Sequence, residues 1–191
     1  MPAGVPVNID LDAGCVQRQL RKAELKTVFE GKHLLVLERG NWQFVERKKG
    51  KEAVAVIAET DDGEVILTEQ YRAPVDARVL DFPAGLVGDE DGSNDPEKTA
   101  RKELEEETGY TCDSVELLVK GPTSAGITSE IVSLYRAHGV RKSGEGGGVG
   151  GESITVHRVP RGELPQWLRE KERAGVLIDI KLGTYFLTQS A

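Results

Sequence analysis

Residues Lys102–Tyr110 read KELEEETGY, with glutamates at 103, 105, 106 and 107. The segment is punctuated at both ends. Asp95-Pro96-Glu97 precedes it and Gly109 closes it. Aspartate is a good helix N-cap, proline suits the first helical position, and glycine is a natural C-terminal stop. The acidic run is therefore predicted to lie on one helix of about three to four turns. Strand-type segments lie before and after it. That order, strands then helix then strands then helices, suits a mixed sheet flanked by helices and not a doubly wound parallel fold.

Residues 1 to about 20 lack clear periodicity and are expected to be loose. From Leu25, "LKTVFEGKHLLVLERG" and "WQFVERKKG" are short and turn-punctuated. "EAVAVIAE" is a continuous apolar run that reads as a buried strand. It is followed by the turn "TDDGE" and by "VILTEQYR", so Ala53–Arg72 is predicted as a hairpin. "ARVLDFPAG" reads as one short strand ended by Pro83 and Gly85, and a polar loop runs from Gly88 to Asn94. Beyond the helix come strands at "VELLVK", "IVSLYRAHG" and "SITVHRVP". The loop before the last of these, Ser143–Glu152, is "SGEGGGVGGE", and so much glycine predicts mobility. Helical patterns follow at Glu163–Ala174 and from Val176 to about Gln189.

Length and charge bound the function. The chain has 191 residues and a net charge of −7, which leaves no electrostatic footprint for nucleic acid or an anionic membrane. No apolar run is long enough to span a bilayer. The N-terminus has neither a basic nor an apolar region of the kind that directs secretion, so a cytoplasmic location is expected. Cys15 and Cys112 do not make a disulfide framework and read as buried thiols.

On a helix, Glu103, Glu106 and Glu107 stand at i, i+3 and i+4 and share one face, whereas Glu105 points elsewhere. Like carboxylates at that spacing repel each other. A divalent cation would neutralise them, and hard oxygen donors suit Mg²⁺, Mn²⁺ or Ca²⁺. A solvated acidic face explains the spacing equally well, and spacing alone leaves both readings open.

The context decides between them. "PAGLVGDEDGSNDPEKTARKELEEETGY" resembles the Nudix box, and "WQFVER", "AVAVIA", "EQYRAP", "DFPAG", "SAGITSE" and "GESITVHRVP" resemble the branch that hydrolyses ADP-ribose and nucleoside diphosphate sugars. The resemblance implies an α/β fold: a Nudix α/β/α sandwich with a small N-terminal antiparallel strand domain. Residues 1–50 would be the strand region through which a homodimer forms, and 51–191 the catalytic domain. Two departures from the box stand out. The loop after Gly85 is three residues longer, and Asn94 and Lys102 replace the glutamate and arginine that brace it.

The same resemblance implies the site. Glu103, Glu106 and Glu107, with the backbone carbonyl of Ala84, would hold Mg²⁺, with Mn²⁺ as the alternative. Gly85 lets the backbone approach the ion. Glu152, after the glycine-rich loop, is the expected base, and Glu130 is the second candidate for base or metal ligand. Trp42 is a candidate to stack on a nucleobase or to fill the N-terminal sheet. Arg47 and Arg72 are candidates for phosphate or ribose contacts. His33, His138 and His157 lack metal-ligand spacing and read as structural or surface residues, and Trp167 as helix packing. A proline that marks many ADP-ribose enzymes, about sixteen residues beyond the box glycine, is replaced here by Ala125, with Pro122 nearby. ADP-ribose and sugars such as GDP-mannose or UDP-glucose therefore stay open together. The rival functions are hydrolysis of nucleoside triphosphates or dinucleoside polyphosphates, and a non-catalytic Nudix module that senses a ligand.

Overall fold

The computed structural model describes residues 23–50, 52–88, 94–148, 151 and 153–188. The N-terminal stretch expected to be loose, Cys15, the acidic loop residues Asp89–Asp91 and the expected base Glu152 lie outside the described residues. The chain divides into two compact units: 1–48 with 124–129, and 49–123 with 130–191.

The first unit is an antiparallel meander of β1 (Leu25–Glu30), β2 (Leu34–Arg39) and β3 (Trp42–Arg47). Ser124–Ser129 adds to β3. Val45 N–H donates to Ile127 O at 2.8 Å, and Ser129 N–H donates to Val45 O at 3.1 Å. All of "SAGITSE" but Glu130 thus belongs with the N-terminal strands, a pairing of Val45 with residues 82 to 84 positions later that no local pattern announces. Every residue of β1 is exposed.

The second unit is built around β4 (Glu52–Glu59). Its run Val54–Ala58 is buried on both faces, which is why it reads as continuously apolar. Successive side chains point to opposite faces. Val54, Val56 and Ala58 pack with Ala100 and Leu104 of α1 (Pro96–Thr108). Ala55 and Ile57 pack on the other face with Leu164 of α2 (Leu164–Arg173) and Leu182 and Tyr185 of α3 (Leu182–Leu187). Helices therefore cover both faces of a mixed sheet, the expected α/β/α arrangement. Among the described residues no helix is long and apolar enough to cross a membrane.

Three local expectations change. The hairpin exists, but β4 pairs with β5 (Glu64–Arg72) only through Ala58–Ile66 and Glu59–Val65. The rest of β5 lies between β6 (Ala77–Asp81) and β12 (Thr155–Pro160). "ARVLDFPAG" is two strands rather than one. It breaks at Phe82-Pro83, where proline offers no N–H to a ladder, and β7 (Ala84–Leu86) continues against β4. The helix expected from Val176 to Gln189 instead opens as β13 (Leu177–Ile178), parallel to Val79–Leu80 of β6, with only Leu182–Leu187 helical. An open sheet edge satisfies the backbone there, and Asp179 N–H also bonds Leu80 O at 2.9 Å. The remaining strands are β8 (Tyr110–Thr111), β9 (Ser114–Gly121), β10 (Ile131–His138) and β11 (Arg141–Lys142). β10 joins the sheet parallel to β4 and antiparallel to β9.

Candidate active site

The helix α1 begins as its sequence dictates. Asp95 Oδ1 accepts from Glu97 N–H at 3.0 Å and from Lys98 N–H at 3.2 Å, and Pro96 opens the first turn. It ends at Gly109, in the left-handed region at φ 70°. Between these caps Leu104 and Ala100 bury one face. Glu105 is exposed, as the helical wheel requires.

Of the three other glutamates in the run, Glu103 and Glu107 meet the strand β7. Glu107 is buried, and its Oε2 accepts from the main-chain N–H of Ala84 at 3.1 Å. The Glu103 carboxyl lies against Gly85, where a Cβ would overlap its Oε1 and carboxyl carbon. Glu106 turns to Lys102, one turn back, with an Oε2–Nζ distance of 2.9 Å. Among the described residues no three acidic, histidine or cysteine side chains already enclose an ion-sized space. The donor set nevertheless suits a hard divalent cation: three carboxylates on one helix face, beside a backbone that only glycine permits to come so near.

The strand ends leading to Ala84 are anchored from behind. Asp81 Oδ1 accepts from Phe82 N–H at 2.8 Å, and Lys181 Nζ sits 2.9 Å from Asp81 and 2.8 Å from Asp179. Burial pushes the Asp81 carboxyl up to about 6, against the opposing pull of Lys181. A second anchor centres on Glu69. Burial works to raise its pKa, but hydrogen bonds from Lys171, Arg78 and His157 outweigh burial and hold it down to about 2. Its Oε2 lies 2.7 Å from Lys171 Nζ and 2.8 Å from His157 Nε2, and His157 packs edge-on to Trp167. His157 and Trp167 are structural, as their sequence settings suggest. Sequence reasoning did not find Lys181 or Glu69, because each works through a partner distant along the chain.

The other sequence-predicted residues are placed as follows. Glu130 is partly buried just before β10, in the second unit. Arg72 is exposed at the end of β5. In the first unit, Arg47 is half-buried, and Trp42, 50% exposed, does not fill the sheet's interior. Cys112 is buried, and burial raises its thiol.

Residues 49–178 match the NUDIX domain. The chain belongs to the Nudix family. Over 120 residues it is 38% identical to a methanol dehydrogenase activator of Bacillus methanolicus, covering 62% of this chain and 63% of that protein. Over 85 residues it is 41% identical to an ADP-ribose pyrophosphatase of Bacillus subtilis, covering 44% of each. Over 141 residues it is 32% identical to a GDP-mannose pyrophosphatase of Cronobacter sakazakii, covering 70% of each. The chain thus spans less than two thirds of the length of the first two relatives. A crystal structure of an ADP compounds hydrolase shares the fold, with a TM-score of 0.57 at 23% identity over 76% of this chain and 80% of that one.

One of the two departures from the Nudix box has a visible consequence. Lys102 stands where the family carries arginine, and it is ion-paired with Glu106 on its own helix. Arg101 reaches Asp113 O at 3.4 Å. The lengthened loop itself, residues 89–93, lies outside the described residues.

Proposed function

We propose that this Nudix protein catalyses divalent-metal-dependent hydrolysis of the diphosphate in ADP-ribose or a related nucleoside diphosphate sugar. The products are a nucleoside monophosphate and a sugar phosphate. The observation that carries this reading is the apposition of Glu103 and Glu107 to the Ala84–Gly85 backbone, with Glu106 on the same helix face. Relatives named ADP-ribose pyrophosphatase and GDP-mannose pyrophosphatase support the substrate class.

Mg²⁺, or Mn²⁺ in its place, supplies charge neutralisation for phosphate oxygens and a more acidic bound water. Glu103, Glu106, Glu107 and the Ala84 carbonyl are the residues that would hold it. Glu152 takes a proton from the attacking water, with Glu130 as the second candidate for that role. The water's oxygen bonds one phosphorus, the P–O bond to the bridging oxygen breaks, and the bridging oxygen leaves on the other phosphate. Arg47 and Arg72 bind phosphate or ribose, and the half-exposed ring of Trp42 stacks on the base.

The same reading makes the protein a cytoplasmic homodimer. Its first unit exposes Val28, Phe29 and Leu34 on a three-stranded sheet, and Ile127 beside it, at 41–62%, an apolar surface that a second copy would cover. A net charge of −7 favours neither nucleic acid nor an anionic membrane as a partner. A regulatory, non-catalytic module would not need the glutamates, and all three remain.

The deciding experiment incubates the purified protein and Mg²⁺ with a panel of ADP-ribose, GDP-mannose, UDP-glucose and a dinucleoside polyphosphate, with products read by mass. Cleavage of ADP-ribose or a sugar nucleotide to two monophosphates is expected. No turnover of any of them would overturn the reading.

A further inference from the structure

The helix that carries the glutamates ends in an electrostatically unfavourable way. The C-terminus of a helix is the negative end of its dipole and favours cations. Here the last six residues, Glu103–Thr108, hold four glutamates, and the last turn has no basic residue. The last four carbonyls of a helix also lack intrahelical donors. Such an end should fray, and two of the three acids proposed to bind metal, Glu106 and Glu107, lie in it.

Every one of those carbonyls nevertheless has a donor. Gly109 N–H bonds Glu105 O at 2.8 Å, Gly148 N–H bonds Glu106 O at 3.1 Å, and Gly147 N–H bonds Glu107 O at 2.7 Å. Lys142 Nζ bonds Thr108 O at 3.2 Å and stands 4.7 Å from the centre of the Tyr110 ring. One residue further, Gly109 O accepts from Ser143 N–H at 2.8 Å and Gly144 N–H at 3.0 Å. Apart from the Gly109 bond, these donors come from Lys142–Gly148, more than 30 residues later in the sequence. The glycine-rich stretch read as mobile is, through Gly148, bonded to the helix end. Lys142 brings the missing cation from outside the helix.

Glycine is required at the contact. Gly146 has φ 73°, and a Cβ on it would overlap the backbone of Thr108 and Gly109. Gly144 lies in the same loop, yet a Cβ there meets nothing within 4 Å. The close approach is therefore confined to particular residues and does not follow from glycine content.

We propose that Lys142 and the Ser143–Gly148 segment, seated through Gly146, are positioning elements for the metal-binding face of this helix. They hold the backbone of Glu106 and Glu107 in helical geometry at an end that its own charges would unwind. The proposal rests on the reading of Glu103, Glu106 and Glu107 as metal ligands.

The test is Mn²⁺ binding to the full-length protein, freed of metal by chelation and titrated with the free-ion paramagnetic resonance signal as readout. Wild type, Gly146→Ala, Gly144→Ala, Lys142→Met and Lys142→Arg are compared, with far-ultraviolet circular dichroism confirming the fold. Gly146→Ala and Lys142→Met are expected to weaken Mn²⁺ binding about tenfold, the scale seen when a group supporting a metal ligand is lost. Gly144→Ala and Lys142→Arg are expected to keep wild-type affinity. Folded Gly146→Ala and Lys142→Met proteins that bind Mn²⁺ like wild type overturn the proposal, even if both melt earlier, because the cap would then be structural only. Should Gly146→Ala fail to fold, the Lys142→Met and Lys142→Arg pair decides by the same criterion. A wild type that binds no Mn²⁺ overturns the metal reading itself, and this proposal with it.

Discussion

The main-chain N–H of Ala84 donates a 3.1 Å hydrogen bond to Oε2 of Glu107, a buried acid 23 residues later in the chain. This bond ties the strand β7 to the acidic face of α1. It also separates two properties of Glu107 that one substitution would otherwise confuse. Glu107→Gln keeps an acceptor for Ala84 and removes the charge, whereas Glu107→Ala leaves that N–H without its partner. Glu107→Gln should retain wild-type thermal stability in the absence of metal and lose kcat by more than the roughly 10–100-fold typical of outer-shell losses. Glu107→Ala should in addition lose about 1–3 kcal/mol in denaturant unfolding. Near-normal turnover of Glu107→Gln and of Glu103→Gln at saturating Mg²⁺ would remove both from the metal site.

Gly85 offers a sharper test of geometry. A Cβ there meets the Glu103 carboxyl, the movable end of a side chain, and not a packed backbone. Gly85→Ala should therefore fold, displace Glu103 and weaken Mn²⁺ binding. Double substitution with Glu103→Gln should add little further loss, since both changes strike the same contact. Additive losses in Mn²⁺ affinity would show that the two residues act separately.

The choice of base is kinetic. Glu152→Gln is expected to lower kcat far more than it raises KM, because a base acts in the chemical step. Mn²⁺ binding should persist in that variant. If Glu152→Gln turns over like wild type while Glu130→Gln does not, the base is Glu130.

Acid sensitivity should centre on Glu69. Its carboxyl is held down from 4.5 to about 2, so its contribution to stability is complete above the ordinary carboxylate value. That contribution is lost as pH falls from 4.5 toward about 2. Glu69→Gln should lower Tm at neutral pH, where Lys171, Arg78 and His157 lose their shared partner. The gap between variant and wild type should narrow as pH falls through that window. A constant gap would place the main effect of Glu69 in packing.

The apolar surface of the first unit predicts association. Light scattering at concentrations where the protein is active should give a dimer mass, and Val28→Asp with Phe29→Asp should lower it toward a monomer. A wild-type monomer would exclude the dimer.

The helix Pro96–Thr108 and its acidic face were legible from sequence, because caps, proline, glycine and the 3.6-residue period are local chemistry. So were the buried strand at Glu52–Glu59 and the family, which the pattern around Gly85 and Lys102–Tyr110 carries in its own spacing. Tertiary structure decided what depends on partners far along the chain. Leu177–Ile178 became a strand because the edge of β6 was open to it. "ARVLDFPAG" divided in two because its halves pair with different strands. The glycine-rich segment, flexible by composition, is bonded through Gly148 because the end of α1 has carbonyls that nothing within the helix can satisfy. Local preferences are energies of neighbouring residues, whereas a carbonyl's need for a donor is met by whatever the fold brings within 3 Å or so.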